Sequence, residues 1–170
     1  MKIVLAVLLN AALAVVFWRW LRVQLRVPRL GRWVLPTLAI KLLAWVAACW
    51  KPSSDAFHMQ VFSEPMTRQL LEQPKEWLRS MLGDEFHFYD SLLKYEWHVA
   101  FHGYSNTFFA FKLLSVLNLA SYSSNWGNGL YLSLFCFMAC WMLVRTIAQL
   151  FPQTPAGAAL IGFLAWPTLV

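Results

Sequence analysis

Every acidic side chain of this 170-residue chain lies in one segment, between Lys51 and Gly103, and this constrains the fold more than any other feature. On either side of that segment the chain is almost continuously apolar and contains no Asp or Glu. Ionised side chains are strongly disfavoured inside a lipid bilayer. Their confinement to one segment indicates that the apolar parts of the chain lie in a membrane and the acidic segment lies outside it. The sequence therefore predicts an aqueous loop held at a membrane surface by flanking transmembrane helices.

The composition supports the same class of protein. Hydrophobic residues make up 59% of the chain. Charged residues make up 13%, whereas they approach about a quarter of a soluble domain. The net charge of +6 comes mostly from five arginines between Arg19 and Arg32, which lie between two apolar runs. That position is typical of a cytoplasmic loop and not of a nucleic-acid-binding surface, so no nucleic-acid partner is expected.

Three apolar runs predict transmembrane helices, at residues 3–18, 33–50 and 129–149. Because arginine-rich loops face the cytoplasm, the amino terminus and the acidic segment are expected on the outer side. A cleaved signal peptide is the alternative for the first run. A fourth run, residues 156–170, reaches only about 22 Å, so the sequence is expected to be the front of a longer polytopic protein.

We therefore predict an all-α fold, a polytopic helical membrane protein with amphipathic interfacial helices in its first large outer loop. Residues 1–50 should form two transmembrane helices joined by a basic cytoplasmic loop. Residues 51–120 should form the extracytoplasmic loop, and residues 121–170 the third span with a truncated fourth. Lys41, inside the second span, is expected to snorkel towards the cytoplasm.

Residues that commonly start or end helices predict helices inside the loop. Ser63 with Pro65 predicts one helix start, and Pro74 with Gly83 predicts the start and end of another helix. Dense aromatic residues predict a further interfacial helix over residues 86–101, although its first residues could be extended. Residues 104–120 are either a span or an interfacial or re-entrant helix, and the positive-inside rule favours the second.

Asp55 is the best candidate for a catalytic residue. It follows the second predicted span by five residues, in the sequence Ser53-Ser54-Asp55, so it should lie close to the membrane surface. A carboxylate there could deprotonate or orient an acceptor hydroxyl. Ser and Asp also cap helix N-termini well, so a structural N-cap is the alternative.

Other residues are weaker candidates. Asp84 and Glu85, the only adjacent acidic pair, could bind substrate or a divalent cation with Asp55, or could simply be solvated. Lys112 could bind a lipid phosphate, or could snorkel. His98 and His102 are one helical turn apart, but no third ligand is evident, so no metal site is predicted.

The order of elements resembles a known family. A span, a second span emerging into Ser53-Ser54-Asp55, amphipathic helices, and the runs YSNTFF (residues 104–109) and KLLS (residues 112–115) are similar to the amino-terminal part of GT-C glycosyltransferases. The resemblance is greatest to bacterial members similar to protein mannosyltransferases. The resemblance covers nearly all of the 170 residues and corresponds to the front of such an enzyme.

The resemblance implies that a sugar moves from a polyprenyl-phosphate donor at the outer face of the bacterial cytoplasmic membrane. It implies that Asp55 acts where donor and acceptor meet, with membrane lipid as a partner. Many members carry two adjacent acids at this point, whereas Ser54 and Ala56 flank Asp55 here, so use of a divalent cation is left open. The alternative is a non-catalytic polytopic protein, such as a transporter half or an assembly subunit. A transporter should show broken spans and an internal repeat, which are not visible.

Overall fold

The computed structural model describes residues 2–51, 53–83, 85–86, 101–102, 106–151 and 153. These residues are helical almost throughout, which confirms the all-α prediction. The elements in chain order are α1 (Lys2–Leu25), α2 (Gly31–Trp50), α3 (Ser54–Glu72), α4 (Pro74–Leu82), β1 (Glu85–Phe86), β2 (Phe101–His102), α5 (Asn106–Ser121) and α6 (Asn125–Leu150).

Three of the described helices, α1, α2 and α6, are long and apolar enough to cross a membrane. This confirms that the protein belongs to the helical membrane class. The helix α1 continues to Leu25, beyond the end of the apolar run at residue 18, because arginine is a good helix former and its charged end can stay exposed. The guanidinium of Arg22 lies 5.0 Å from the centre of the Trp18 ring.

The turn between α1 and α2 depends on two backbone features. Arg29 has a positive φ of 66°, and Gly31 begins α2 with its amide donating to the Val27 carbonyl. A Cβ atom at Gly31 would lie 2.3 Å from the Leu25 carbonyl oxygen, so only glycine fits there without a backbone shift. The predicted loop between the first two helices is therefore present, and Gly31 allows it to be a tight turn.

The chain divides into two compact units, which are described separately. The span unit comprises Val7–Pro52 and Trp126–Val170, and the loop unit comprises Met1–Ala6 and Ser53–Asn125. The span unit buries Val34, Phe137 and Trp141 completely within one apolar cluster. Trp141 donates from its indole Nε1 to Gln24 Oε1 at 3.2 Å, so the N–H of this fully buried side chain is satisfied.

Lys41 does not snorkel as expected. Its side chain is buried in the span unit, with 3% of its surface exposed. The reason is helical periodicity: positions 34, 38 and 41 fall on one face of α2, and that face is the packed one. The lysine stem therefore points into the unit instead of along an exposed surface.

The first helix of the acidic segment starts earlier in the chain than the sequence indicates. The helix α3 begins at Ser54, and its N-cap is Ser53, whose Oγ accepts from the Ala56 amide at 3.2 Å. The predicted helix start at Ser63 is wrong, because α3 runs through Pro65 without ending. The predicted α4 is confirmed, with Pro74 at its first position and Gly83 as its C-cap.

The expected helix over residues 86–101 is wrong at Phe101, whereas at Phe86 the extended alternative is confirmed. Phe86 pairs with Phe101, and Glu85 with His102, in a short antiparallel ladder. Residues 87–100 lie outside the described residues. The helix α5 has 16 residues and is shorter than the three candidate spans. It packs against α3 instead, so the alternative of a span over residues 104–120 is not supported.

Candidate functional site

Asp55 is the second residue of α3, and its side chain lies outside the described residues. The structural alternative for this position was an N-cap, and that role is taken by Ser53. Asp55 is therefore not needed to cap the helix. A carboxylate in the first turn is still favoured by the partial positive charge of the helix N-terminus. The functional prediction for Asp55 remains untested by these contacts.

What holds α3 in place is a polar seam, defined by Gln60, Ser63 and Thr67 of α3 and Ser115 and Asn118 of α5. Ser63 and Ser115 are fully buried, Asn118 and Thr67 are nearly so, and Gln60 is half-buried. The two helices run antiparallel, because Gln60 contacts the carboxyl end of α5 while Thr67 contacts Ser115.

Asn118 is the centre of the polar seam. Its amide Nδ2 donates to Ser63 Oγ at 3.0 Å and to Thr67 Oγ1 at 2.9 Å. Its Oδ1 accepts from Gln60 Nε2 at 3.3 Å. One amide side chain thus connects three successive turns of α3, because residues 60, 63 and 67 share one helical face. Since both amide protons are used, the buried amide nitrogen has no unsatisfied donor.

Hydrogen bonds extend the seam at both ends. At one end Gln60 Nε2 donates to the Ser123 carbonyl at 2.8 Å. At the other end Thr67 Oγ1 donates to the Ser115 carbonyl at 3.1 Å, and Trp77 Nε1 of α4 donates to Ser115 Oγ at 3.2 Å. The seam therefore fixes the register of α3 against α5 and connects α4 to both.

An apolar cluster lies beside the seam. Met66, Phe108, Phe111 and Phe86 are almost completely buried together. Phe86 belongs to β1, so the short ladder contributes to the core as well as to the chain path. Both polar and apolar contacts therefore fix the position of α3, the helix whose first turn contains Asp55.

Lys112 has a structural role at the end of α4. Its Nζ donates to the carbonyls of Met81 at 3.1 Å and Gly83 at 3.0 Å, and it lies 4.4 Å from the centre of the Phe108 ring. A cation at a helix C-terminus is favoured by the helix dipole and satisfies carbonyls that lack helical partners. Binding of a lipid phosphate by Lys112 stays a prediction.

The remaining predicted residues are not brought together by what the structure describes. Asp84 and His98 lie outside the described residues, and so do the side chains of Glu85 and His102. Among the described residues, no group of three or more His, Cys, Asp or Glu side chains is placed to hold a metal ion. Use of a divalent cation therefore stays an open prediction.

The sequence hinted at the polar seam without identifying it. Ser115 and Asn118 interrupt an apolar helix, which is unusual enough to mark a packed polar face. Ser63 and Thr67 likewise lie about one turn apart on the other helix. Nothing local says that these two pairs meet, so the network was not predicted. Comparison with protein-family models, with curated proteins and with solved structures gave no match for this chain.

Proposed function

We propose that the protein is a membrane glycosyltransferase that moves a sugar from a polyprenyl-phosphate donor on the outer face of a bacterial cytoplasmic membrane. The observation that carries this proposal is the position of Asp55 in the first turn of α3, directly after the candidate span α2. Asp55 follows Trp50, the last residue of α2, by five positions. Even a fully extended chain of that length reaches only about 17 Å, so Asp55 stays near the phosphate level of a bilayer.

The proposed chemistry uses Asp55 as a general base. The carboxylate accepts the proton of an acceptor hydroxyl while the hydroxyl oxygen attacks the anomeric carbon of the donor sugar. The bond from that carbon to the phosphate oxygen breaks, and polyprenyl phosphate leaves with the bonding electron pair. Such a base contributes about 10²- to 10⁴-fold to the rate when it is held within hydrogen-bonding reach of the hydroxyl.

The polar seam supports the proposal because a base must be held in a fixed place. Gln60 lies less than two turns after Asp55 and is bonded both to Asn118 and to the carbonyl of Ser123. The helix that carries Asp55 is therefore anchored close to its first turn. Sites carried on a helix with such support are more accurately positioned than sites on loops.

The test is Asp55→Asn in the intact protein, assayed in membrane vesicles with a panel of radiolabelled polyprenyl-phosphate hexoses. We expect transfer to fall about 100-fold or more, because the amide cannot accept the proton. Glu72→Gln is the matched control, since Glu72 is an exposed acid on the same helix. Expression and insertion of both variants are compared by immunoblotting of membranes.

Two results would contradict the proposal. One is transfer by Asp55→Asn at the wild-type rate with every active donor. The other is an absence of transfer by wild-type protein with any donor of the panel, in which case the non-catalytic alternative holds.

A further inference from the structure

A groove of about 290 Å³ lies in the loop unit, between α3 and the carboxyl end of α5. Three leucines, Leu5, Leu71 and Leu119, supply its apolar wall. The other side chains at the groove are Glu64, Thr67, Arg68, Asn118, Tyr122 and Ser123. Thr67 and Asn118 are already bonded within the polar seam, so the charged residues are the ones available to a ligand.

Glu64 and Arg68 present opposite charges at the groove. They are one helical turn apart on α3, in the order that normally favours an ion pair. Both are exposed, and within the described parts of the chain neither makes a hydrogen bond or an ion pair. The groove therefore offers one carboxylate and one guanidinium that are not paired with each other.

The turn that borders the groove is held in an uncommon conformation. Tyr122 and Ser123 have φ values of 56° and 58°, in the left-handed region that non-glycine residues seldom adopt. The Ser123 amide bonds to the Asn118 carbonyl at 3.2 Å, and Gln60 holds the Ser123 carbonyl. A glycine would fit this turn better, yet the position carries the large, exposed side chain of Tyr122 at the groove. Such backbone outliers are found preferentially at functional sites.

Leu5 indicates the depth at which the groove would lie in a membrane. It is the third residue of the candidate span Ile3–Leu25. The first residues of a span lie near the boundary between hydrocarbon and head groups. A groove that includes such a residue would open at head-group level, where a phospholipid can reach it without leaving the bilayer.

We propose that this groove binds the head group of a zwitterionic phospholipid with a primary amine. The phosphate lies against the Arg68 guanidinium, which is suited to phosphate oxygens, and the ammonium donates to the Glu64 carboxylate. The first methylene groups of the lipid contact Leu5, Leu71 and Leu119. A glycerol head group would satisfy Arg68 through the same phosphate but would leave the Glu64 carboxylate without a cation. The site does not depend on glycosyl transfer.

The experiment uses the full chain, purified in detergent and delipidated, with binding followed by tryptophan fluorescence. The probes are dihexanoyl phospholipids with ethanolamine, choline and glycerol head groups, and free O-phosphoethanolamine. We expect the ethanolamine lipid to bind about tenfold more tightly than the glycerol lipid, with the choline lipid between them because it cannot donate hydrogen bonds. Free O-phosphoethanolamine should bind at least about tenfold more weakly than its lipid, for lack of apolar contact.

Two variants test which charged side chain contacts the ammonium and which contacts the phosphate. Glu64→Gln should abolish the preference for ethanolamine over glycerol, and Arg68→Gln should weaken all three lipids about tenfold. The matched controls, Glu72→Gln and Arg79→Gln, change exposed charges outside the groove and should bind like wild type. Leu119→Trp keeps both charges but fills the groove, and it should lose binding of every lipid.

Equal affinity for the ethanolamine and glycerol lipids in wild type would overturn the proposal. Equal affinity for free O-phosphoethanolamine and its lipid would overturn the assignment to a membrane lipid. Wild-type binding by Leu119→Trp would overturn the location. Circular dichroism of each variant separates these results from misfolding, and a variant that unfolds is replaced by Arg68→Lys, which should weaken phosphate binding while keeping the charge.

Discussion

The two units of this protein arrange their buried polar side chains differently. The loop unit connects several of them in one seam centred on Asn118. In the span unit Gln24 accepts from Trp141 beside the apolar cluster, and Thr37 donates to carbonyls of its own helix. The surfaces differ as well. The span helices expose large hydrophobic residues such as Val7 and Leu8, whereas α3 exposes charged residues such as Glu64 and Arg68 beside apolar ones such as Phe57.

The comparison shows that the exposed side chains of the candidate spans indicate their solvent more clearly than their buried side chains do. Exposed apolar side chains on helices of 20 residues or more fit lipid, and exposed charges fit water. The buried polar network of the loop unit determines how its helices are aligned. A fully paired polar network allows only one register between two helices, since any shift would leave Asn118 or Ser63 unbonded in a buried place.

The largest effect that tests this contrast is expected in the span unit. Trp141→Ala should lower the free energy of unfolding by about 3–5 kcal/mol, because it leaves a cavity and removes one of the two donors to Gln24 Oε1. The measurement is denaturant unfolding in detergent micelles. Met142→Ala, at the exposed neighbouring position, is the control and should have little effect. Similar losses for both variants would mean that the apolar cluster does not stabilise the unit.

The polar seam should give the next largest effect. Asn118→Leu should lower the free energy of unfolding by about 2–3 kcal/mol, because buried hydroxyl and amide groups of α3 lose their partner. The triple variant Ser63→Ala, Thr67→Val, Asn118→Leu should recover at least half of that loss, because the buried groups are then apolar as well. A triple variant less stable than Asn118→Leu would show that the seam stabilises the unit beyond fixing its register.

Lys112 should have a smaller, local effect. Lys112→Met removes two hydrogen bonds to the last carbonyls of α4, and we expect a loss of about 1–2 kcal/mol in the local stability of α4. Hydrogen exchange of the α4 amides measures it. Lys75→Met, at the other end of the same helix, is the control and should leave exchange almost unchanged. Unaltered exchange in Lys112→Met would show that the bonds from Lys112 to the Met81 and Gly83 carbonyls do not stabilise α4.

The smallest effect is expected at the start of α3. Ser53→Ala should destabilise the first turn by about 1 kcal/mol, because the Ala56 amide loses its acceptor. Ser53→Asp should restore the cap. Faster hydrogen exchange at Ala56 and Phe57 in the alanine variant alone is the expected signature. If both variants exchange like wild type, Ser53 is not what fixes the turn that carries Asp55.

Much of this fold follows from local sequence signals. The spans α2 and α6 are evident because long apolar runs have few alternatives to a membrane helix. The bounds of α4 follow from Pro74 and Gly83, whose backbone restrictions act without help from the rest of the chain. The same local reasoning failed at Pro65, because Asn118 donates to Ser63 and Thr67 on either side of it and so favours a continuous α3.

The candidate site was less predictable because it depends on contacts that are distant in sequence. Asp55 could be identified as a candidate catalytic residue from its position after a span. The helix that contains it, however, is held by Asn118, which is distant in sequence. The pairing of Phe86 with Phe101 is likewise set by tertiary packing and overrides the helical pattern of that segment. Register between two helices is not encoded in either helix alone, so neither the seam nor the groove could be derived from the sequence.

The central proposal is that the acidic segment lies on the outer face of a membrane and the arginine-rich segment from Arg19 to Arg32 on its inner face. It is tested most directly by labelling single cysteines in spheroplasts with a membrane-impermeant maleimide, after replacing Cys49, Cys136 and Cys140. The two probe positions are Glu72→Cys and Arg26→Cys, both exposed. We expect labelling of Glu72→Cys in intact spheroplasts and of Arg26→Cys only after lysis. Labelling of Arg26→Cys before lysis, or of Glu72→Cys only after it, would contradict the claim.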